Sequence, residues 1–455
     1  MKKILNSLLG LVVLFFSPAC FAKEIPPIPD FVKTDRVLIL VPHPDDETLG
    51  TGGVIQEALG AGAKVKVACY TNGDHNQPAF VVYEKRLTFR TGEFLHMGEV
   101  RRKETIAAMA SLGLSPKDIV FLGYPDFGTV AILTKYWGDT KPFRSILTRI
   151  SKVSYPEALS PGAPYVGESI LKDMKTVIRD FKPTKIFVSH PADTNVDHQS
   201  LYVFMQVALW DLAREIKHPQ IFPYIIHVIG WPKPRGHHLD LELNPPSQFV
   251  DVLWQRLNLS EEEVKTKQKL VSFYKSQIEY NPPYLYTFVR KNELFGNYPE
   301  IELKEQKGKE ISWQDVLLSR DNPKMQNDRE PGQKNVFSGL AYARKDNNLF
   351  IRLNLRRKLD KDLGISIFLL GYSRKMDFAH MPKINVSIGF LGKRIKDKKE
   401  VIFVRDASLS SEGNTLILKL PLSCLANPDY ILSKVKTHTS KFPLDASAWR
   451  IIRMK

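Results

Sequence analysis

Short apolar runs alternate with amphipathic helical segments between Arg36 and about Leu303. In the clearest helical segment, which ends near Leu212, apolar residues recur at the i, i+3, i+4 and i+7 spacing of one helix face. The apolar runs have the length of buried strands and lie at residues 37–41, 65–70, 119–122, 186–188 and 224–229. This alternation predicts an α/β fold with a doubly wound, mostly parallel, Rossmann-like sheet. The sites of such sheets lie beyond the carboxyl ends of the strands.

Two segments interrupt the alternation and are too long to be simple connections. They span residues 128–165 and 232–247, and both are rich in proline and glycine. We expect them to form lids or rims around a site. Further along, Ser260 and Glu263 have capping-box spacing, which predicts a helix that continues towards Gln277.

The pattern changes after Leu303. Residues 304–335 are polar and charged, as in a linker, and alternating segments follow. In residues 349–355 every second residue is apolar, and further strands are predicted at 365–370, 384–388, 401–404 and 416–420. Because no helical period of similar quality accompanies them, we expect residues 336–455 to form a smaller all-β, sandwich-like accessory domain. The α/β domain then covers residues 23–303.

The first 22 residues have the features of a signal peptide. Lys2 and Lys3 precede a short apolar run, and small residues suited to cleavage follow as far as Ala22. The run is shorter than the roughly 20 apolar residues that a membrane span needs, and no later stretch reaches that length. We therefore expect residues 1–22 to be removed on export to the periplasm or the exterior. Cys20 suggests a lipoprotein anchor, but Ser17 stands where an aliphatic residue is usual.

The charge of the chain is unevenly distributed. The composition is that of a globular protein, with 43% hydrophobic and 25% charged residues, and it excludes disordered, collagen-like and coiled-coil classes. The formal net charge of +16 suggests a nucleic acid, an anionic glycan or a membrane surface as a partner. Segment 23–303 contains 33 basic and 33 acidic residues, whereas segment 304–455 contains 30 basic and 16 acidic residues. We therefore expect the β-rich domain to carry any contact with an anionic envelope polymer.

A dense group of ionisable residues lies between the first predicted strand and a glycine-rich helix start. It is the run Pro42-His43-Pro44-Asp45-Asp46-Glu47. Three carboxylates beside one imidazole are costly to hold together unless a cation neutralises them. The alternative is a turn whose Asp residues cap the following helix.

A second group follows another predicted strand and precedes the strongest amphipathic helix. It is the run His190-Pro191-Ala192-Asp193-Thr194-Asn195-Val196-Asp197-His198. Because strand ends of one parallel sheet can converge on one crevice, we expect the two groups to meet. Two imidazoles and one carboxylate, with positions left open, are the composition of a catalytic zinc site. Taken alone, Asp197 and His198 are more typical of a solvated loop or a helix cap.

In this order, the motifs between Arg36 and Leu303 resemble those of the PIG-L/LmbE-like N-acetylglucosamine deacetylases. Besides the two groups above, the shared motifs are Arg101-x-x-Glu104, Leu122-Gly123-Tyr124-Pro125-Asp126, Tyr274-Lys275-Ser276-Gln277 and Asn292-Glu293-Leu294-Phe295. The resemblance implies a Zn²⁺ ion bound by His43, Asp46 and His198. It also implies that Asp45 is the general base that activates water for attack on an acetamide.

Further roles follow from the same resemblance. Arg101 and Asp126 would contact sugar hydroxyls, although a helix-terminal ion pair and a turn are the alternatives for these two residues. Glu47 and Asp197 would support the metal ligands from outside the coordination shell.

The sequence departs from the family at one position. Many relatives have a histidine three residues before the last ligand, where this chain has Asn195. An Asn amide can donate a hydrogen bond to an oxyanion, but it cannot deliver a proton to the leaving amine. His190 or the reprotonated Asp45 would then deliver it, and the sequence leaves the general acid open.

Four functions are compatible with these observations. The leading hypothesis is an exported, zinc-dependent N-deacetylase, an amidohydrolase acting on an N-acetylated amino sugar or envelope glycan. A hydrolase of another acylated amide metabolite would use the same chemistry. A non-catalytic glycan-binding relative would keep the fold, but the base and all three ligand positions are present. Only the charge suggests a nucleic-acid binder, and the export signal and the lack of a recognition motif argue against it.

Overall fold

The computed structural model describes residues 24–87, 90–138, 140–316, 336–439 and 442–455. The expected signal peptide, residues 1–22, lies outside the described residues, as does the part of the expected linker from 317 to 335. Within the described ranges, no helix combines the length and the apolar character that crossing a membrane requires.

The first part of the chain forms one mixed sheet flanked by helices. Its strands are β1 Arg36–Val41, β2 Lys64–Thr71, β3 Ile119–Tyr124, β4 Lys185–Ser189, β5 Gln220–Tyr224, β6 Leu253–Asn258 and β7 Asn292–Asn297. Among the described residues they are ordered β3-β2-β1-β4-β5-β7-β6. The first five run parallel, and β7 is antiparallel to both of its neighbours. The predicted mostly parallel α/β sheet is therefore confirmed.

Helices cover both faces of this sheet. They are α1 Asp46–Gly60, α2 Gln77–Glu84, α3 Thr91–Ala110, α4 Thr129–Lys135, α5 Gly167–Phe181, α6 Val196–Asp211, α7 Glu261–Val271, α8 Lys275–Ile278 and α9 Pro282–Tyr286. Along β1, Leu38 and Leu40 face one apolar core and Val37 and Ile39 face the other. This burial on both faces explains why the parallel strands are almost wholly apolar.

Two predicted elements end earlier than expected. The strand expected at 224–229 is instead β5, which ends at Tyr224. Its extension is prevented because the amides of Ile226 and His227 donate to the carboxylate of Asp193, at 3.1 and 2.9 Å. The capping box of Ser260 is present, but α7 ends at Val271 and α8 begins separately at Lys275.

The C-terminal part consists of strands. They are β8 Ile301–Leu303, β9 Gln314–Val316, β10 Phe337–Lys345, β11 Asn348–Leu355, β12 Gly364–Tyr372, β13 Lys383–Gly389, β14 Gly392–Asp397, β15 Glu400–Val401, β16 Ser408–Glu412, β17 Thr415–Pro421, β18 Tyr430–His438, β19 Pro443–Ala446 and β20 Arg450–Met454. In the described residues they form two sheets, β16-β17-β11-β10-β9 and β15-β14-β13-β12-β18-β20-β8, with β19 beside β18. The sheets enclose one apolar core between them, as in a sandwich. β8 pairs with β20, and β9 forms a strand within the segment expected to be a linker.

The outer face of the larger sheet packs against α5 and α6 of the α/β domain, so the two parts share an apolar core. The Trp210 ring lies 4.6 Å from the ring of Tyr430 and 4.8 Å from that of Tyr372. Polar contacts also cross the junction: the buried Lys434 of β18 donates to the side chain of Gln199 in α6. The sandwich is thus packed onto the α/β domain rather than merely tethered to it.

Candidate metal centre

The carboxyl ends of β1 and β4 bring the two ionisable groups of the sequence together. His43 follows β1 directly, and His198 lies in the first turn of α6, just after β4. His43 Nδ1 and His198 Nε2 lie 3.3 and 3.1 Å from Asp46 Oδ2. All three side chains are buried. His43, Asp46 and His198 thus form a compact set of ligand atoms that could hold a metal ion.

His227 is a fourth member of this set, which the sequence did not reveal. One ligand atom from each of the four residues lies within 4.8 Å of the others. The ring of His227 lies 4.7 Å from that of His198, and its Nδ1 is 2.8 Å from the hydroxyl of Tyr284. Burial lowers the pKa of His227 to about 4, so the ring is in the neutral form that binds metals. Its signal in the sequence was a single histidine in an otherwise apolar run.

In His43 and His198, the ring nitrogen that faces away from Asp46 lies close to a second carboxylate. His43 Nε2 lies 3.1 Å from Asp126 Oδ1 and 3.4 Å from Asp197 Oδ2. His198 Nδ1 lies 3.1 Å from Asp193 Oδ2. Carboxylates in this position fix the tautomer and the ring orientation of metal-binding histidines.

The negative charge around the two histidines shifts their ionisation. Burial alone would lower the pKa of His198, but Asp193 and Asp46 raise it to about 9. Burial also opposes the charged form of His43, and the neighbouring carboxylates nevertheless raise its pKa well above the ordinary value. The site therefore has a strong affinity for positive charge.

Both ring nitrogens of His198 lie close to a carboxylate, Nε2 at 3.1 Å from Asp46 Oδ2 and Nδ1 at 3.1 Å from Asp193 Oδ2. Neither contact has the geometry of a direct hydrogen bond among the described residues, so Nε2 could instead bind a cation shared with Asp46. A second set, His43 with Asp126 and Asp197, also has its ligand atoms close together. The carboxylates of both sets accept backbone amides, His43 N at 3.1 Å from Asp46 Oδ2 and Phe127 N at 2.7 Å from Asp197 Oδ2, so the sets differ in their imidazoles, three against one. The first set, rich in imidazole, therefore fits zinc better.

Asp45 lies beside this set in an unusual backbone conformation. Its φ of 114° is rare for a residue with a side chain and stores strain at the start of α1. Its amide donates to Glu47 Oε2 at 3.1 Å, and the hydroxyl of Tyr274 donates to Glu47 in turn. Burial raises the pKa of Asp45 to about 8, against the lowering effect of Arg101. Glu47 thus supports the backbone that presents Asp45.

Arg101 and Asp126, the two residues expected to contact a sugar, both make polar contacts within the protein. Arg101 Nη2 lies 3.3 Å from Asp45 Oδ2 and 2.6 Å from the carbonyl of Pro44. Asp126 contacts His43 and accepts the amide of His75 at 3.1 Å. Their contacts with a sugar stay predictions.

Asn195 and His190, which were considered for oxyanion contact and for proton delivery, both make contacts within the protein. Asn195 caps α6, where its side-chain oxygen accepts the amide of Asp197 at 2.8 Å. The buried ring of His190 lies 5.3 to 5.8 Å from the rings of Tyr298, Trp254 and Phe249. Burial lowers the pKa of His190 to about 3, so the ring is neutral near pH 7. These surroundings disfavour His190 as the general acid, and a catalytic role for Asn195 stays a prediction.

A family model confirms the resemblance of the motifs. The model, described as PIG-L: GlcNAc-PI de-N-acetylase, matches residues 38–209. The matched part, residues 38–209, is called the PIG-L segment below. The PIG-L segment contains His43, Asp46 and His198, whereas His227 lies beyond its end.

Similarity to individual proteins is restricted to part of the chain. The 1D-myo-inositol 2-acetamido-2-deoxy-alpha-D-glucopyranoside deacetylase of Mycobacterium sp. (strain KMS) is 37% identical over 90 residues, which are 20% of this chain and 28% of the relative. The enzyme of the same name from Mycobacterium avium (strain 104) is 35% identical over 82 residues, 18% of this chain and 26% of the relative. The chain therefore spans about a quarter of the length of these relatives.

Solved structures resemble the chain more distantly. The N,N'-diacetylchitobiose deacetylase from Pyrococcus horikoshii is 17% identical with a TM-score of 0.32, over 55% of this chain and 75% of that one. The A40926 pseudoaglycone deacetylase is 16% identical with a TM-score of 0.37, over 58% and 96%. Values this low carry no conclusion about the activity of the chain.

Proposed function

We propose that the chain is a zinc-dependent N-deacetylase that hydrolyses the acetamide of an N-acetylated amino sugar or envelope glycan. The observation that carries the proposal is the convergence of His43, Asp46 and His198 inside the PIG-L segment, with Asp45 beside them. The names of the relatives matched over part of the chain, which are deacetylases of an acetylated amino sugar, support the substrate class.

The ligand set supports zinc as the metal. His43, Asp46 and His198 would hold the ion, and His227 offers a further nitrogen. Imidazoles combined with one carboxylate are the usual ligands of hydrolytic zinc sites. Zinc, when bound, lowers the pKa of water and polarises a carbonyl oxygen.

Asp45 is positioned to move the protons of the reaction. Its carboxylate would accept one proton from the attacking water while a bond forms between the water oxygen and the acetyl carbon. The same carboxyl group would then give this proton to the sugar nitrogen as the C–N bond breaks, leaving an amine and acetic acid, which loses its remaining proton to solvent as acetate. Arg101 holds the carboxylate of Asp45 in place at 3.3 Å, and Glu47 holds its amide.

We expect Asp45→Asn to lower kcat by about 10²- to 10⁴-fold without loss of zinc, because it removes the base and keeps the ligands. The measurements are zinc content by mass spectrometry and acetate release from N-acetylglucosamine, its oligomers and peptidoglycan fragments. Asp173→Asn is the matched control, since this buried carboxylate binds Tyr124 and Ser160 instead of the metal group. Zinc-loaded wild-type protein that released no acetate from any of these substrates would contradict the proposal.

Export of a mature chain that begins at Lys23 is part of the proposal. It is supported by the basic, apolar and small-residue pattern of the first 22 residues. N-terminal sequencing of the periplasmic or secreted protein tests it, and an intact Met1 in that fraction would contradict cleavage.

A further inference from the structure

The larger sheet of the sandwich carries a row of cations on its outer face. The pairing of β12, β13, β14 and β18 aligns Arg394, Ser387, Ser366 and Lys436 across the sheet, with Lys396 and Asn385 in the next row. The alternate residues, such as Ile367 and Val386, point into the core of the sandwich. The strand register therefore collects Arg394, Lys396 and Lys436 on one face.

A groove of about 280 Å³ lies between this face and the end of α4. Thr134 and Lys135 of α4 line it together with Ser366, Phe368, Asn385, Lys396, Lys398 and Lys399 of the sandwich. Of the described residues that line the groove, four are lysines and none is acidic. These lysines have no ion-pair partner in the part of the chain that the structure describes.

The basic surface continues beyond the groove. A neighbouring cavity of about 470 Å³ also includes Lys396, and it adds Lys361, Lys393, Arg394 and His438 with one described acid, Asp362. On the other side, Lys436 Nζ lies 5.8 Å from the ring of Phe368. Burial and the charge of Lys135 both lower the pKa of Lys436, as expected for cations without counter-charges. The cations of the larger sheet thus extend from the groove beside α4 into this neighbouring cavity.

We propose that this groove binds an anionic glycan, a polysaccharide chain that carries carboxylate groups. Charge complementarity selects an anion, and a concave groove does not fit the flat surface of a membrane. The hydroxyl and amide groups of Thr134, Ser366 and Asn385, together with the ring of Phe368, match the hydroxyls and the apolar faces of sugars. The choice of a glycan rests on the proposed function, whereas the anionic character of the ligand does not.

Helix α4 connects the groove to the metal centre. The hydroxyl of Thr129 at the start of α4 binds Asp197, and Lys135 at its end lines the groove. The two positions are six residues apart, which is about 9 Å along a helix. The groove and the surroundings of the metal centre are therefore connected by a single rigid helix.

The test measures binding without turnover. Protein treated with EDTA is titrated against fluorescein-labelled polygalacturonate fragments, and fluorescence anisotropy is recorded at rising NaCl concentration. We expect Lys135→Gln combined with Lys396→Gln to weaken binding at least tenfold at low salt and to make its salt dependence shallower. The control variant combines Lys358→Gln, in the loop after β11, with Lys419→Gln in β17, and so removes the same charge from the side of the smaller sheet. The affinity of the control variant should stay within twofold of the wild type.

Equal affinities of the groove variant and the control variant would overturn the proposal. Tighter binding to a DNA duplex or to phosphatidylglycerol vesicles than to polygalacturonate would overturn the choice of a glycan. If the double variant does not fold, as judged by its unfolding transition, Lys398→Gln alone is expected to weaken binding two- to fivefold, and an unchanged affinity would count against the groove. Since the assay needs neither zinc nor hydrolysis, its result is independent of whether the chain proves to be a deacetylase.

Discussion

The carboxylate of Asp193 acts on the metal group without belonging to it. Its Oδ2 lies 3.1 Å from His198 Nδ1 and accepts the amides of Ile226 and His227, while its Oδ1 accepts the amide of Asn195 at 2.8 Å. One fully buried side chain therefore orients the ring of His198 and positions the backbone that carries His227.

We expect Asp193→Asn to lower the affinity for zinc by about 10- to 100-fold, because outer carboxylates orient the ligating imidazole and raise its basicity. The dissociation constant is measured by competition with a chromophoric zinc chelator. Asp173→Asn, which changes another buried carboxylate in the same way, should keep the wild-type affinity. An unchanged constant in Asp193→Asn would show that His198 is oriented by other contacts.

Some residues of the site could be predicted from the sequence and others could not. The meeting of the groups around His43 and His198 was predictable because each group follows a strand of the same parallel sheet, and such strand ends meet. The choice of Asp46 among three adjacent carboxylates came from the resemblance to the family. His227 and the contact between Asp193 and His198 were not, because they depend on the path of the chain after β5. That path is set by hydrogen bonds between residues more than 30 positions apart.

At the scale of single elements, α1 is interrupted at Thr51, whose φ of −144° is not helical. Just after the break, the amides of Gly53 and Val54 donate to the carboxylate of Glu293, at 2.7 and 3.1 Å. The carbonyl of Leu49 accepts Lys267 Nζ at 2.9 Å, and Lys267 and Glu293 form a buried pair at 2.6 Å. Side chains of α7 and β7 thus replace the hydrogen bonds that the break removes.

We expect Lys267→Met to lower the free energy of unfolding by about 3–5 kcal/mol, because it leaves the carboxylate of Glu293 buried without its partner. Urea titration followed by circular dichroism measures this change. Lys269→Met on the exposed face of the same helix should change it by less than about 0.5 kcal/mol. A similarly small effect of Lys267→Met would mean that the pair is dispensable.

Within the sandwich, β11 could be predicted from its alternation whereas β18 could not. β11 alternates cleanly because one face meets the sandwich core. β18 was missed because both of its faces are covered. Ser433 lies on the inner face, where it contacts Tyr342, and Lys434 lies on the outer face under α6, so that both are as buried as Ile431 and Val435. A contact between two of the family motifs was also not predicted. Glu104 accepts the amide and the hydroxyl of Ser276, at 2.8 and 2.7 Å, and so joins α3 to α8.

At the scale of the whole molecule, a buried lysine lies where the two domains meet. Lys383 Nζ donates to the carbonyl of Met381 at 2.7 Å and lies 4.6 Å from the ring of Trp137 in the α/β domain. Burial lowers the pKa of Lys383 from 10.5 to about 7. Between these two values the unfolded chain binds a proton that the folded chain does not. The free energy of unfolding therefore falls as the pH is lowered through this range.

We expect Lys383→Met to remove this contribution. The gain in the free energy of unfolding between pH 7 and pH 9 should be smaller in the variant than in the wild type by about 2 kcal/mol. Denaturant titrations at both pH values give the two differences, and Lys375→Met, at an exposed position of the same domain, should behave as the wild type does. Equal gains in all three proteins would exclude a neutral lysine at the junction.

The contact between Lys434 and Gln199 makes the sandwich part of the support of the metal group. Gln199 also donates to the carbonyl of Asp193, whose carboxylate lies beside His198. An uninterrupted run of contacts therefore leads from β18 to one of the proposed ligands. Under the proposed function, the α/β domain without the sandwich would leave the buried side-chain oxygen of Gln199 without its donor, and the surroundings of His198 would change with it.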